Sequence, residues 1–249
     1  MKQQDFVSGW KPQPADSRDF RFAVSAPAKQ PASIDLAPYT GPVLNQGSIG
    51  SCTANAISTA MYNAKAKKGD TFVSSRLFIY YEERAMIDTV NEDSGAYIRD
   101  GFKVINKLGT PRESTWPYIQ KDFTVKPSPL AYTKALEHQA IEYYALPVQV
   151  DAIKGALIEG FPVVFGFDVF TSFFKIRKSK PKMPMPVAGE ELVGGHAVII
   201  VGYSNRRKCF KVQNSWGERW GEKGFFWMPY EYVSDTSYTG DFWVLRAVE

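Results

Sequence analysis

The hydrophobic period changes once along the chain. From Ser51 to Gly69 apolar residues recur at helical spacing, with Ile57, Ala60, Met61 and Ala64 at i, i+3, i+4 and i+7. Lys65, Lys67 and Lys68 crowd the last turn and Gly69 stands where a helix ends, while Ser51 stands where an N-cap belongs. Ser75–Ile87 and Tyr97–Leu108 read as two further helices, the second closed by Gly109 with Pro111 beyond. After the Pro-containing stretch Lys126–Leu130 the character shifts, and a short helix over Asp151–Glu159 precedes runs of β-branched and aromatic residues set off by Gly, Asn and Asp. These runs, Phe161–Phe170, His196–Tyr203, Cys209–Asn214, Gly224–Met228 and Asp241–Val248, read as strands. The pattern predicts a helical lobe over 34–130 and a β lobe over 131–249. Residues 1–33, rich in Pro and without periodicity, read as an extended arm, and Ser172–Glu190 reads as an exposed basic loop.

At 249 residues with 44% hydrophobic and 22% charged side chains, the chain has the composition of a globular domain with a sizeable core. A net charge of +4, with its bases dispersed among 26 acids, gives no footprint for nucleic acid. No apolar run is long enough to span a membrane. The first ten residues lack the apolar core of a Sec signal, so a cytoplasmic place or export by a non-Sec route is expected. Two cysteines, Cys52 and Cys209, exclude a disulfide framework. Two cysteines and two histidines at wide spacing make no paired zinc ligands, so no metal or cofactor is expected.

Cys52 falls in the first turn of the predicted helix after a glycine-bearing turn, where unpaired N–H groups and the helix dipole favour a thiolate. A thiolate nucleophile needs a base, and only His138 and His196 are available. His138 sits in a polar segment, Ala135–Ala140, and reads as a surface or half-buried side chain. His196 opens an apolar strand after Gly194 and Gly195. Asn214, at the end of the following strand, is suited to orient an imidazole, and Trp216 to exclude water from that bond. Cys209 reads as an inert core thiol.

Three segments, Asn45-Gln-Gly-Ser-x-Gly-Ser-Cys52, Gly195-His-Ala-Val198 with Val201-Gly-Tyr203, and Asn214-Ser-Trp-Gly217, resemble the papain-like cysteine peptidases. His196 and Asn214 follow Cys52 by 144 and 162 residues, against the roughly 130–150 of that family. The resemblance runs from about Ala32 to the C-terminus. It implies an α+β, two-lobed papain-like fold with a helical lobe, an antiparallel β-barrel-like lobe and the site in the cleft between them.

It further implies Cys52 as nucleophile, His196 as base, Asn214 as orienter and Gln46 as oxyanion donor, with Trp216 in support. Substrate would lie along Ser94, Gly95, Tyr97, Gly194 and Gly195, with an apolar side chain in the pocket before the cleaved residue. Ile49 stands where the family has a disulfide cysteine, which points to disulfide-free bacterial or large-virus members, and Thr53 stands where it has an aromatic. The expected function is hydrolysis of protein or peptide substrates by a monomer, more as endopeptidase than exopeptidase. A thiol acyl transferase or peptide ligase on the same site and a non-catalytic peptide-binding pseudo-protease are the alternatives. The basic loop is placed to favour acidic substrate residues beyond the scissile bond. The arm is either an integral strap or a short inhibitory segment lying in the cleft.

Overall fold

A computed structural model describes residues 3–22 and 30–249. Residues 1, 2 and 23–29 of the expected arm lie outside the described residues. The architecture is α+β and papain-like. Three helices, α1 (Cys52–Ala66), α2 (Arg76–Ala85) and α3 (Ile98–Lys107), come first. A sheet then forms from β1 (Ser33–Asp35), β2 (Ala140–Ala145), β3 (Val163–Phe170), β4 (Leu192–Ser204), β5 (Cys209–Gln213), β6 (Phe225–Pro229) and β7 (Thr239–Val248). It is seven-stranded and antiparallel, in the order β2-β7-β3-β4-β5-β6 with β1 added to β4.

Period-2 alternation splits the sheet between two cores. Val163, Phe165, Phe167, Val198 and Ile200 face one, with α5 (Val150–Ile158) and the aromatics Phe210 and Phe226. Val164, Ala197, Ile199, Val201, Trp243 and Leu245 face the other, against Ile57, Met61 and Phe102 of α1 and α3. Helix α1 is therefore enclosed between the sheet and the other helices, which fixes its first residue, Cys52, against β4.

The structure differs from the sequence expectation in several places, of which four bear on the site and its surroundings. A short helix α4 (Pro129–Ala135) occupies what reads as a linker; Ser128 accepts from the Ala131 N–H and Pro129 takes the first helical position, a start signal that the proline's loop character obscures. Strand β2 has no clean alternation because it is an edge strand, half-buried on β7. The basic loop is not wholly exposed, since Thr171–Lys175 forms a 3-10 turn and Phe173, Ile176 and Met183 are buried. His138 is buried too, with Nδ1 3.1 Å from Lys65 Nζ and its ring against Phe72.

The arm is partly built into the body. Trp10 and Phe22 are buried, the Phe22 N–H donates to Ala145 O, and Arg99 binds Asp19 and the Pro14 carbonyl at 2.6 and 2.9 Å.

Candidate active site

Cys52 heads α1 and is wholly buried. Ser51 precedes it without capping through its side chain; its Oγ instead lies 2.6 Å from the Tyr118 hydroxyl and accepts from Asn55 Nδ2. The sulfur accepts the Ala197 N–H at 3.3 Å, a bond that favours the thiolate. Burial dominates nevertheless and pushes the thiol up to about 12. The helix-dipole expectation is thus outweighed in this closed state: desolvation of a covered sulfur exceeds what one N–H and the first turn supply.

His196 lies in β4 opposite Phe167, in an aromatic frame. Its ring centroid is 5.1 Å from that of Trp216. Nε2 lies 2.8 Å from Asn214 Oδ1, which also accepts the Ser215 N–H at 2.8 Å. A backbone donor on Oδ1 identifies that atom as the amide oxygen, so Nε2 carries the ring proton. Nδ1 keeps its lone pair, buried and without a partner. Burial lowers the imidazole to about 4, although the Asn214 bond opposes the shift. Covered, the pair is neutral thiol and neutral imidazole.

The loops that carry the other residues are tied together. Gln46 N–H donates to Ser215 O, Ser215 Oγ donates to Gln46 Oε1 at 2.6 Å, and Gln46 Nε2 donates to Ile49 O at 3.0 Å. With its oxygen held by Ser215, the Gln46 amide keeps its N–H side toward the loop that ends at Cys52. Arg76, Asp93 and Glu83 complete the frame, and of these Arg76 and Glu83 carry no mark in the sequence reading. Arg76 binds Glu113 through two 2.7 Å bonds and donates to Asn45 O, and Asp93 accepts the Gly50 N–H at 2.9 Å. Glu83, buried and pushed well above the carboxylate range by desolvation, accepts the Thr53 hydroxyl at 2.7 Å. Thr53 thus stands in the family's aromatic position as a partner for a buried acid. Thr53→Ala leaves both Glu83 oxygens bare, and is expected to cost about 1–3 kcal/mol, read as a lower urea midpoint with unchanged slope.

The arm lies over this site. A Cβ at Gly9 would come within 2.7 Å of Cys52 Sγ and 2.2 Å of Gly50 O. The Gly9 carbonyl accepts the Ala96 N–H at 2.8 Å, and its N–H donates to Gly195 O at 3.2 Å. Phe6 packs edge-on against His196, Trp216 and Phe174. Of the expected cleft residues, Gly95, Gly194 and Gly195 touch the arm, since a Cβ on each would meet it. Ser94 bonds Thr89 and Gly95 instead, and Tyr97 is half-buried at the start of α3 while Ala96 bridges to Trp10. Cys209 is buried in β5, with its thiol donating to Arg207 O.

A buried sulfur on a helix head and an oriented imidazole on an antiparallel sheet define a thiol-peptidase architecture, and the comparisons agree. The papain family cysteine protease profile matches residues 30–238, and the chain belongs to that family. It is 44% identical over 216 residues, 82% of this chain and 70% of the other, to a peptidase C1-like protein of Acanthamoeba polyphaga mimivirus. To mouse pro-cathepsin H it is 27% identical, over 79% of this chain and 59% of that one. Xylellain, a cysteine protease from Xylella fastidiosa, matches in structure with a TM-score of 0.92 and 40% identity over 97% of this chain and 96% of its own. Procathepsin B of Trypanosoma congolense shares the fold, with a TM-score of 0.73 at 16% identity over 92% and 82% of the two chains.

Proposed function

We propose that the chain is a cysteine endopeptidase working through Cys52, His196 and Asn214, in a closed form held by its own arm. The observation that carries the reading is the His196 ring: Nε2 is pinned by an acceptor of fixed identity, Nδ1 is left open, and the next residue's N–H binds the sulfur. On exposure to water the thiol proton passes to Nδ1. The sulfur attacks the peptide carbonyl, and the developing oxyanion takes hydrogen bonds from Gln46 Nε2 and the Cys52 N–H. His196 then gives its proton to the departing amine, leaving a thioester on Cys52. Water, deprotonated by the same ring, attacks the thioester and releases the acid and the free thiol.

The arm enters past Trp216 at Phe6 and continues beyond Trp10 to the strap, so the cleft is open at both ends, which supports internal cleavage. It is not in a cleavable pose. Among the described residues no arm carbonyl accepts from Gln46, and the Gly9 oxygen is held by the Ala96 N–H.

The test is hydrolysis of an internally quenched peptide library by the full chain and by Cys52→Ala, with an added amine to reveal acyl transfer. Cleavage that depends on Cys52, with one thiol alkylated rapidly at pH 6 once the arm is displaced, is expected. Activity surviving in Cys52→Ala, or no fast thiol, overturns the proposal.

A further inference from the structure

The direction of the Gln46 amide is set by what holds it. Nε2 carries two protons, of which one goes to Ile49 O, while Oε1 is taken by the Ser215 hydroxyl, so the direction of the second N–H follows from these two partners. Its aim is therefore no better fixed than the Ile49 carbonyl. That carbonyl belongs to the Ile49–Gly50 peptide, just before Ser51 and the nucleophile, and a planar peptide turns as a unit, its N–H and C=O together. Nothing covalent steadies this peptide. Isoleucine stands at the position of the family's disulfide cysteine, both cysteines of the chain are free, and glycine at 50 leaves the adjoining backbone torsion permissive.

The other end of the peptide is held by an acid from a different part of the chain. Both oxygens of Asp93 accept the Gly50 N–H, at 2.9 and 3.0 Å. Asp93 is itself anchored to α2. The Tyr80 hydroxyl donates to its Oδ1 and accepts the Gly95 N–H at 3.2 Å; burial and the neighbouring Asp93 push this phenol well up, which keeps it a donor. One turn further along α2, Arg84 donates to the carbonyls of Val90 and Glu92 at 2.7 and 3.0 Å and so fixes the turn that delivers Asp93. A continuous series of bonds therefore runs from α2 through Asp93 and the Ile49–Gly50 peptide to Gln46 Nε2.

Resting on the peptidase reading, we infer that Asp93 is a positioning residue for the reaction, and that by holding the Ile49–Gly50 peptide it aims the Gln46 amide at the developing oxyanion. It acts through Gln46 and touches neither the substrate nor the reacting atoms. Without Asp93 the peptide is free to rotate, Ile49 O leaves Nε2, and the second N–H loses its fixed direction. An oxyanion donor works because it is in place before the charge develops, so a loosely held Gln46 lowers kcat and leaves substrate binding largely as it was.

The test is a double-mutant cycle in the full chain carrying Gly9→Leu, whose added side chain keeps the arm off Cys52. Asp93→Ala, Gln46→Ala and the pair are compared on one blocked fluorogenic peptide. Asp93→Ala should lower kcat by about tenfold or more with KM within about twofold. Asp93→Asn should recover most of that loss, because its Oδ1 still accepts the Gly50 N–H and the Tyr80 hydroxyl. In the Gln46→Ala background the Asp93→Ala change should cost about fivefold less, or better, than with Gln46 present, since no amide is left to aim. Costs closer to equal than that mean that Asp93 merely steadies the loop, and they overturn the inference while the peptidase reading stands. Tyr80→Phe, which keeps Asp93 and removes its anchor, enters the same cycle, so that an Asp93→Ala chain that does not fold still leaves a decision: its loss of kcat must likewise depend on Gln46. Binding of a blocked peptide aldehyde, read as protection of Cys52 from iodoacetamide, needs no turnover. The thiol proton passes to His196, the sulfur bonds to the aldehyde carbon, and the carbonyl pair moves onto the oxygen, which takes the oxyanion's place. If nothing is cleaved, the peptidase reading fails, and the aldehyde still decides: weaker protection in Asp93→Ala or Tyr80→Phe that disappears in the Gln46→Ala background supports the inference, and weakening that is the same in both backgrounds, or absent from both, refutes it.

Discussion

Replacing Gly9 by leucine in the full chain should raise the rate of Cys52 alkylation at neutral pH by roughly 100-fold or more. The added Cβ would stand 2.2 Å from a backbone oxygen, Gly50 O, and 2.7 Å from Cys52 Sγ. Gly50 cannot yield easily, because its N–H is held by both oxygens of Asp93. The arm must therefore leave the floor of the cleft. A clash that costs the closed state about 3 kcal/mol changes the open fraction by roughly 100-fold. Uncovering also removes the desolvation that holds the thiol up at about 12 and the imidazole down at about 4. The Ala197 N–H and a charged ring then both favour thiolate, so alkylation of the open form should stay fast at pH 6. An alkylation rate equal to wild type would show that Gly9 does not guard the sulfur.

In that opened background, His196→Ala should lower kcat by about 10²–10⁴ with a smaller change in KM. On the proposed reading the ring moves a proton both to and from the reacting atoms, while Asn214 holds it and Gln46 only donates. The variant also takes away a surface on which Phe6 packs, so it opens the cleft further. Loss of turnover together with easier access to Cys52 separates a missing base from a blocked site. A kcat within twofold of the parent would mean that another group carries the proton.

How far the sequence could be read depended on the range of each interaction. Helices α1, α2 and α3 and strands β3 to β7 follow from local period and caps, and their expected spans lie within a few residues of the observed ones, whereas edge strand β2 does not. The site segments were legible because Cys52, His196, Asn214 and Gln46 each lie in a short pattern, and the structure brings all four into one place. Arg76 and Glu83 carry no such pattern. Each acts on a partner distant in the chain, Glu113 and Thr53 respectively, so only the fold reveals it. The thiol's state was misjudged for a related reason: the first turn of α1 is a local feature, whereas the covering that desolvates the sulfur comes from Gly9, far earlier in the chain.

The strap from Trp10 to Phe22 makes the cleft's occupant part of the same molecule. Dilution therefore does not release it, and neither does removal of any soluble inhibitor. An incoming peptide must outcompete a neighbour whose effective concentration is on the order of millimolar or above. A nick between Phe6 and Gly9 is expected to free only the segment that packs on His196 and Trp216, because Gly9 stays over Cys52 as part of the anchored stump.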